Sequence, residues 1–193
     1  EVGTQKLFSQ ETKVKGNVAL AVPVQQFVES CLQQTAEEGL NQVSRQGGYY
    51  RPPDGSLLFF DDQLPYYYED NQQKIIQKED AQQELESYLS NELPHCLSGL
   101  ETFAQQGFEL INRSLTVYVD YGDTTTVELR YPLEIKQEET SASLEKFAYS
   151  MDVNIPRFMK VSQQLVDSFV DSSGYLCLTC IDEWADEQNM IVD

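Results

Sequence analysis

Four cysteines supply most of the redox and soft-ligand chemistry open to this 193-residue chain. Four cysteines allow three disulfide pairings, so the sequence does not fix the connectivity by itself. Cys31 and Cys96 each fall on the apolar face of a predicted helix, and a bond between them would join two helices. Cys177 and Cys180 are near neighbours in sequence, which suits a local bridge. We therefore predict two disulfides, Cys31–Cys96 and Cys177–Cys180, and with them an oxidising compartment.

The segment Cys177-Leu178-Thr179-Cys180 also has the spacing of a redox motif. A thioredoxin-like pair lies at a helix N-terminus after a strand, where its thiolate is stabilised. Here the acidic residues Asp182 and Glu183 follow the pair and disfavour a thiolate, so we prefer a structural bridge. The alternative is a zinc site, although adjacent ligands make tetrahedral chelation awkward. Its ligands would be His95, Cys96, Cys177 and Cys180, with Cys31 as a spare.

Catalytic motifs are otherwise scarce. His95 is the only histidine, so any Ser-His or Cys-His nucleophile would depend on it, and no Gly-x-Ser-x-Gly elbow occurs. Carboxylate pairs such as Asp61-Asp62 are frequent, but 32 Asp and Glu residues create such pairs by chance. No phosphate-binding loop, dinucleotide fingerprint or EF-hand loop is present. We therefore expect a non-enzymatic protein without metal or cofactor, and keep an acidic carboxylate hydrolase adapted to high salt as the enzymatic alternative.

Aromatic residues are concentrated after the first predicted helix, to a degree that exceeds what packing needs. Tyrosine is favoured at recognition surfaces because it contributes a large contact area at a small cost in conformational entropy. The simpler interpretation is that alternate residues of this segment cover the helix. If the segment is exposed, we expect it to be the contact face for a protein or a glycan. Its members are Tyr49, Tyr50, Phe59, Phe60, Tyr66, Tyr67 and Tyr68.

The chain is strongly acidic, with 32 Asp and Glu residues against 13 Lys and Arg and a formal net charge of −19. Nucleic acid and anionic membrane surfaces are therefore poor partners, since both reward clustered Lys and Arg. The acidic residues are scattered and not gathered in a tail. Generic solubility, a cation-binding surface and adaptation to high salt would each explain them, and salt would screen the self-repulsion.

Hydrophobic periodicity predicts the helices that position these residues. An amphipathic helix runs from Pro23, in its first turn, to a stop at Gly47-Gly48. Two short extended pieces follow, with a turn at Asp61-Asp62 and then a polar loop, Glu69 to Gln73. The next helix covers Glu79 to Glu92, and we expect Pro94 to break it before one further helical turn.

Alternation of apolar and polar residues predicts the strands. Leu115 to Tyr121 and Val127 to Ile135 lie on either side of a turn at Gly122-Asp123, typical of a hairpin with one buried face. A polar linker, 137–143, precedes a third strand from Phe147 to Ile155. Residues 108–111 could extend this meander.

Two C-terminal helices complete the prediction, the first opened by Pro156 and ended at Ser172-Ser173-Gly174. The expected fold is α+β: an antiparallel β-meander of three or more strands, with amphipathic helices packed on one face and disulfides joining the elements. The polar N-terminal residues predict an arm or stalk over 1–21. Residues 22–193 are expected to form one domain.

The chain ends and one short motif suggest an extracellular setting. The longest apolar run, Val18 to Val24, is far shorter than the roughly 20 residues of a membrane span. The chain begins at Glu1 without a Met and stops at Met190 to Asp193 as if another strand were starting, so we expect an ectodomain whose anchor is missing. Asn112-Arg113-Ser114 is an N-glycosylation sequon at a predicted turn, which makes Asn112 the candidate acceptor.

Several short motifs occur in a fixed order along residues 22–193. With them the chain resembles a family of uncharacterised, membrane-anchored surface proteins of small-genome (DPANN-type) archaea. The motifs are Val28-Glu29-Ser30-Cys31-Leu32, Glu37-Glu38-Gly39-Leu40, Gln46-Gly47-Gly48-Tyr49-Tyr50, Pro65-Tyr66-Tyr67-Tyr68, Leu93-Pro94-His95-Cys96-Leu97, Tyr131-Pro132-Leu133 and the Cys177/Cys180 segment. The resemblance implies a hydrophobic helix before the domain and a cell-surface location, and a salt-loving member would account for the acidity. It brings no catalytic residue.

From these observations we expect an extracytoplasmic domain of a membrane-anchored cell-surface protein, acting in adhesion or in envelope structure. Its partner would be a protein or glycan at the cell surface, with membrane contact only through the missing anchor. An alternative is a filament or envelope subunit that self-assembles when the arm, Glu1 to Val22, adds a strand to a neighbour's sheet.

Overall fold

The structure is a computed structural model and describes residues 14–188. It confirms the α+β class: helices pack on one face of an antiparallel sheet, and a disulfide joins two of them. In chain order the elements are β1 (Lys15–Gly16), α1 (Val18–Arg45), β2 (Leu57–Phe59), β3 (Asp62–Leu64), β4 (Tyr68–Glu69), β5 (Gln72–Gln73), α2 (Lys78–Leu97), a 3₁₀ helix (Ser98–Gln106), β6 (Glu109–Asn112), β7 (Thr116–Tyr121), β8 (Thr125–Gln137), β9 (Thr140–Met151), α3 (Ile155–Asp171) and α4 (Leu178–Glu187).

Helix α1 begins earlier than the sequence predicts. The Asn17 side chain caps it, accepting a hydrogen bond from the Leu20 backbone N–H at 3.3 Å. Pro23 therefore lies inside the helix and not in its first turn. Proline has no N–H, so the Ala19 carbonyl loses its helical donor. Proline is tolerated here because Ala19 is exposed and water can bond to that carbonyl instead. The apolar run before Pro23 is thus helical.

The predicted boundary between an arm and a domain is wrong as a result. It falls inside α1, where Leu20 and Ala21 are already buried in the core. Just before the helix, β1 pairs with β9, Lys15 lying opposite Ser143. The described end of the arm is therefore part of the domain. Residues 1–13 of the predicted arm lie outside the described residues.

Helices α1 and α2 cross at close range over the sheet. Gly39 lies at the crossing, where a Cβ atom would come within 2.4 Å of the Tyr88 ring. The predicted break at Pro94 is wrong, since α2 continues through Pro94 to Leu97. Leu93 and Leu97 are both buried on the core side of the helix. Pro94 has no N–H to donate to the Ser90 carbonyl, but Pro94 and Ser90 are both exposed to solvent.

Strand β8 is the centre of the five-stranded sheet. One of its edges pairs with β9, and the other pairs first with β7 and then with β6. The predicted hairpin over β7 and β8 is confirmed, as is its extension by the strand that became β6. The predicted linker 137–143 is wrong, because Gln137 lies opposite Thr140 and a tight turn at Glu138-Glu139 joins β8 to β9. The third strand therefore starts before Phe147 and ends at Met151.

The register between β8 and β9 shifts at Tyr131-Pro132. Proline has no N–H to give to a ladder, so a bulge or an edge is where a strand tolerates it. The Pro132 carbonyl accepts a hydrogen bond from the Arg113 backbone N–H at 3.1 Å. The shift lies between the segment of β8 that pairs with β7 and the segment that pairs with β6.

Two small hairpins connect α1 to α2. In the β2–β3 hairpin the predicted turn at Asp61-Asp62 lies one residue earlier, with Phe59 opposite Asp62 and Phe60 at a positive φ of 52°. The predicted polar loop 69–73 forms the second hairpin, with Tyr68 opposite Gln73. Each connection is thus a turn closed by its own short ladder.

The C-terminal helices follow the end of β9. Pro156 lies in the first turn of α3, as predicted, and the Asn154 side chain caps the helix by accepting from the Arg157 backbone N–H. Gly174, at a φ of 96°, follows the end of α3. Helix α4 packs back against α3.

The two disulfides should contribute unequally to stability. Removing Cys31–Cys96 with the double substitution C31A/C96A should lower the free energy of unfolding by about 4 kcal/mol, because the bond closes a long loop of the unfolded chain. The sequence separation across that bond is 65, against 3 for Cys177–Cys180. The matched variant C177A/C180A should therefore lose about 2 kcal/mol or less. Urea unfolding of both variants measures the difference, and equal losses would contradict it.

Gly39→Ala should destabilise the protein although alanine is the better helix former. The new Cβ atom would meet the Tyr88 ring at 2.4 Å and Leu85 Cδ1 at 3.0 Å. Overpacking of this kind costs about 1–3 kcal/mol, more than the roughly 1 kcal/mol of helix propensity gained. Gly122→Ala is the control, since its Cβ would find ordinary contact distances of 3.5 Å or more. A Gly39→Ala protein as stable as wild type would rule out the tight crossing.

Candidate functional site

All four cysteines are in disulfides, Cys31 with Cys96 and Cys177 with Cys180. The predicted Cys31–Cys96 bond between two helices is confirmed. A zinc site would require thiolates, and no cysteine is free. The Cys177–Cys180 bond is also the form that an oxidised redox pair takes, so the preference for a structural bridge stays a prediction. Within residues 14–188, no group of three or more His, Cys, Asp and Glu side chains could hold a metal ion. The disulfides indicate an oxidising, non-cytoplasmic compartment.

Part of the predicted aromatic contact face is packing surface. Tyr49 and Tyr50 are half-buried against the core, and the Tyr50 ring contacts the Tyr88 ring edge to face at 5.2 Å. The Tyr67 hydroxyl donates a hydrogen bond to the Gly47 carbonyl at 2.8 Å, beside the C-terminus of α1. Tyr68 is also partly covered, because its ring contacts Phe169 of α3 at 5.8 Å. For these four residues the simpler interpretation, packing against helices, applies.

The other three predicted residues, Phe59, Phe60 and Tyr66, are exposed. Phe59 and Phe60 belong to an unbroken apolar run on the β2–β3 hairpin, Leu57 to Phe60, that we call the hairpin tip. The exposed fractions along it are 49, 68, 55 and 83%. The prediction did not include Leu57 and Leu58, although four consecutive apolar residues before an acidic turn could have indicated them.

An ion pair fixes the hairpin tip to the main helix. The Arg45 guanidinium, in the last turn of α1, donates to Asp62 Oδ2 from Nη2 at 2.7 Å and from Nε at 3.1 Å. Asp62 lies opposite Phe59 in the hairpin. The hairpin is thereby attached to the most buried helix of the domain while its apolar residues stay in contact with water.

The candidate glycosylation residue, Asn112, is exposed but forms the last residue of β6 and not part of a free turn. Its side-chain nitrogen, the atom to which a glycan would be attached, donates a hydrogen bond to the Tyr131 hydroxyl at 2.7 Å. Attachment of a glycan would have to displace this bond. Glycosylation at Asn112 stays a prediction.

A large cleft, which the sequence did not predict, opens between α1 and α3. We call it the α1–α3 cleft; its volume is about 1390 Å³. Its walls come from the C-terminal half of α1, the end of β9, the segment before α2 and the first turns of α3. The end of β9 and the start of α3 are consecutive in the chain, but α1 and the segment before α2 are distant from them, so no local pattern could have grouped all of these residues.

A tyrosine and a carboxylate meet at one wall of this cleft. The Tyr149 hydroxyl donates to Glu37 Oε1 at 2.5 Å, and the Gln33 amide donates to the same oxygen at 3.1 Å. Burial, and next the neighbouring Glu37 carboxylate, raise the pKa of Tyr149 to about 12. Burial and nearby Tyr49 also raise the pKa of Tyr67, which lines the same cleft. Both hydroxyls are therefore neutral donors at physiological pH.

The charges that line the α1–α3 cleft are all negative. Glu37 and Asp152 are its acids, and none of the lining residues in the described part of the chain is Lys, Arg or His. The remaining surface is largely apolar, with aliphatic, methionine and aromatic side chains. The cleft therefore combines an apolar wall with carboxylates, an arrangement that suits an apolar ligand bearing a positive charge.

Alkaline titration should show Tyr149 among the tyrosines that lose their proton late, because burial and the Glu37 carboxylate raise its pKa. The neutral phenol is favoured in the folded protein, so Tyr149 adds to stability below pH 10 and this contribution is lost as pH rises through about 12. Tyr149→Phe should remove one tyrosine from the late part of the tyrosinate absorbance change. Protein unfolded in urea is the reference, where that tyrosine should titrate near 10. A wild-type titration without a phase that Tyr149→Phe removes would contradict this.

None of the helices in the described part of the chain is long and apolar enough to cross a membrane. No protein-family model, curated protein or solved structure matches the chain. The resemblance to archaeal surface proteins therefore stays a prediction. Any function has to be argued from the hairpin tip, the cleft and the disulfides themselves.

Proposed function

We propose that this protein is the non-enzymatic, extracytoplasmic recognition domain of a membrane-anchored cell-surface protein, and that the hairpin tip is its contact face. One observation carries the proposal: Leu57 to Phe60 are four consecutive apolar residues, each about half exposed or more. Scattered exposed apolar side chains are ordinary, but a contiguous run on a hairpin is typical of an interaction site.

The hairpin is joined to α1 by an ion pair, which supports a role for its apolar residues in binding. Arg45 holds the hairpin against α1 through Asp62, so the apolar side chains are presented on a fixed support. A pre-positioned contact loses less conformational entropy on binding than a flexible loop would. Aromatic side chains at the centre of an interface commonly supply most of its binding energy.

Charge around the hairpin tip indicates the chemistry of the partner. The exposed carboxylates Asp54 and Asp61 flank the apolar run, and the Arg45 guanidinium is already bonded to Asp62. Complementarity then favours a protein with an apolar pocket and a rim of Lys or Arg. Nucleic acid and anionic lipid fit poorly for the same reason.

The cell-surface location is supported by two further features. Disulfides form and persist in oxidising compartments, and the large negative charge suits a surface exposed to high salt. The archaeal and membrane-anchored setting comes from the family resemblance alone. We keep it as part of the proposal on that basis.

One observation supports the alternative of a filament or envelope subunit that self-assembles. Lys15 and Gly16 add a short strand to β9 of their own chain, and β9 is otherwise an edge of the sheet among the described elements. Exchange of that strand between neighbouring copies would build a polymer. Deleting residues 1–16 should then abolish assembly, whereas a recognition domain would keep its binding.

The hydrolase alternative would use the two carboxylates of the α1–α3 cleft. Glu37, however, already accepts hydrogen bonds from Tyr149 and Gln33 on one oxygen. That arrangement orients a carboxylate as an acceptor. It suits cation binding better than proton donation to a leaving group, which is why we place the carboxylates in a binding role.

Binding of the fluorescently labelled domain to cell envelopes of the source organism tests the proposal. L58S/F60S should reduce the apparent affinity at least about tenfold, since it removes two central apolar contacts. L176S/L178S is the matched control, because these two leucines are also exposed, at 54 and 70%, but lie before and at the start of α4. The control should bind as wild type does.

Two further outcomes decide the identity of the partner. Protease treatment of the envelopes should abolish binding if the partner is a protein, whereas survival of binding would indicate a glycan. Unchanged affinity of L58S/F60S, with its fold verified by circular dichroism, would overturn the hairpin tip as the contact face.

A further inference from the structure

The α1–α3 cleft lies apart from the hairpin tip and has the properties of a site for a small molecule. Ligand pockets commonly have volumes of about 300–1,000 Å³. At about 1390 Å³ the cleft has room for a ligand with an extended hydrocarbon portion. Helix α1 and strand β9, which form two of its walls, are packed on the core, and α3 contributes Ile155 and Met159, which pack against the same core.

Apolar side chains from several elements form its floor. The accessible part of it comes from Ile75, before α2, and from Ile155, Phe158 and Met159 of α3, whereas Leu40 and Val43 of α1 are buried. Met159 is unbranched and adapts to irregular apolar shapes. A wholly polar ligand would leave this surface in contact with water or with unpaired polar groups, so the ligand must carry an apolar part.

The carboxylates select the sign of the ligand's charge. Glu37 and Asp152 line the cleft, and among residues 14–188 no Lys, Arg or His lines it. A fatty acid or another anionic amphiphile would meet like charges there, whereas an ammonium group would meet a carboxylate. The net charge of −19 acts in the same direction over longer distances.

Hydrogen bonds hold one of these carboxylates in a fixed position. Tyr149 and Gln33 both donate to Oε1 of Glu37. Tyr149 and Tyr67 line the same cleft, and aromatic rings attract quaternary ammonium groups. A cation beside Glu37 would therefore meet a positioned carboxylate and aromatic surface together.

We propose that the α1–α3 cleft binds an amphipathic organic cation, with its alkyl chain on the apolar floor and its ammonium group beside Glu37. The proposal does not depend on the hairpin tip, so either can fail without the other.

Isothermal titration calorimetry with dodecyltrimethylammonium, kept below its micelle concentration, tests this binding. The full chain should bind about one equivalent. Tetramethylammonium lacks the chain and dodecyl sulfate reverses the charge, so each should bind at least tenfold more weakly. Equal binding of dodecyl sulfate would overturn the charge selection, and equal binding of tetramethylammonium would overturn the role of the apolar floor.

Two carboxylate variants separate the site from the general negative charge. Glu37→Gln should weaken dodecyltrimethylammonium binding about fivefold, the effect of one partly exposed ion pair. Glu38→Gln is the matched control: it removes the same charge from the neighbouring exposed position, accepts from Gln34 as Glu37 does from Gln33, and does not line the cleft. Equal losses in the two variants would mean that the overall charge attracts the cation, which would overturn the site.

A third variant tests the place of binding without touching a charge. Ser162 lines the cleft from α3, and Ser162→Trp should fill part of its volume. The variant should lose at least tenfold in affinity for dodecyltrimethylammonium while its binding to envelopes is unchanged. Wild-type affinity in a folded Ser162→Trp protein would show that the cation binds elsewhere and would overturn the proposal.

Discussion

The close crossing of α1 and α2 is the contact on which the rest of the domain depends. Gly39 allows the Tyr88 ring to lie against the backbone of α1, and the Cys31–Cys96 bond joins the same two helices further along. Both helices also pack on the inner face of the sheet, α1 mainly on β9 and α2 on β7. If the helices moved apart, the inner face would lose its cover, because side chains of both helices reach the same core.

Helix α1 also places both surfaces for which we propose functions. Its last turn carries Arg45, which holds the β2–β3 hairpin, and its C-terminal half carries Glu37 and Leu40, which line the α1–α3 cleft. The two surfaces are therefore built on one rigid element, but they use different residues of it. A helix fixed by a disulfide and by a tight crossing is a support that holds such side chains in position.

The sequence predicted best where a single interaction decides the outcome. Strict alternation over residues 115–135 was sufficient for the β7–β8 hairpin, because one face of the sheet is buried. Cys31 and Cys96 were paired correctly because each lay on an apolar helix face. Prediction failed at Pro23 and Pro94, where the carbonyl that loses its donor is exposed to water and packing on the other side of the helix prevails.

The sites were harder to predict than the fold, for a different reason. Half-buried Tyr67 and exposed Tyr66 are adjacent in sequence, and only the tertiary structure determines which one meets the core. In the same way, residues 137–143 are too polar to indicate a strand from composition. Residues 140–143 are a strand because they pair with β8, and Ala142 and Ser143 also pair with β1. The α1–α3 cleft combines residues of α1 with residues more than 100 positions later, at the end of β9 and the start of α3, and no local pattern contains it.

Salt should affect the two proposed binding surfaces, the hairpin tip and the α1–α3 cleft, to different degrees. On the outer face of the sheet, several cations are used locally: Glu128 pairs with both Arg130 and Lys146, and Lys15 with Glu145. They therefore do little to offset the carboxylates elsewhere, and the hairpin tip and the cleft both remain in a negative field.

Raising the salt concentration screens an ammonium group from Glu37, but it leaves the apolar contact of Leu58 and Phe60 largely intact. In a high-salt environment the apolar part of each ligand would therefore supply most of the affinity.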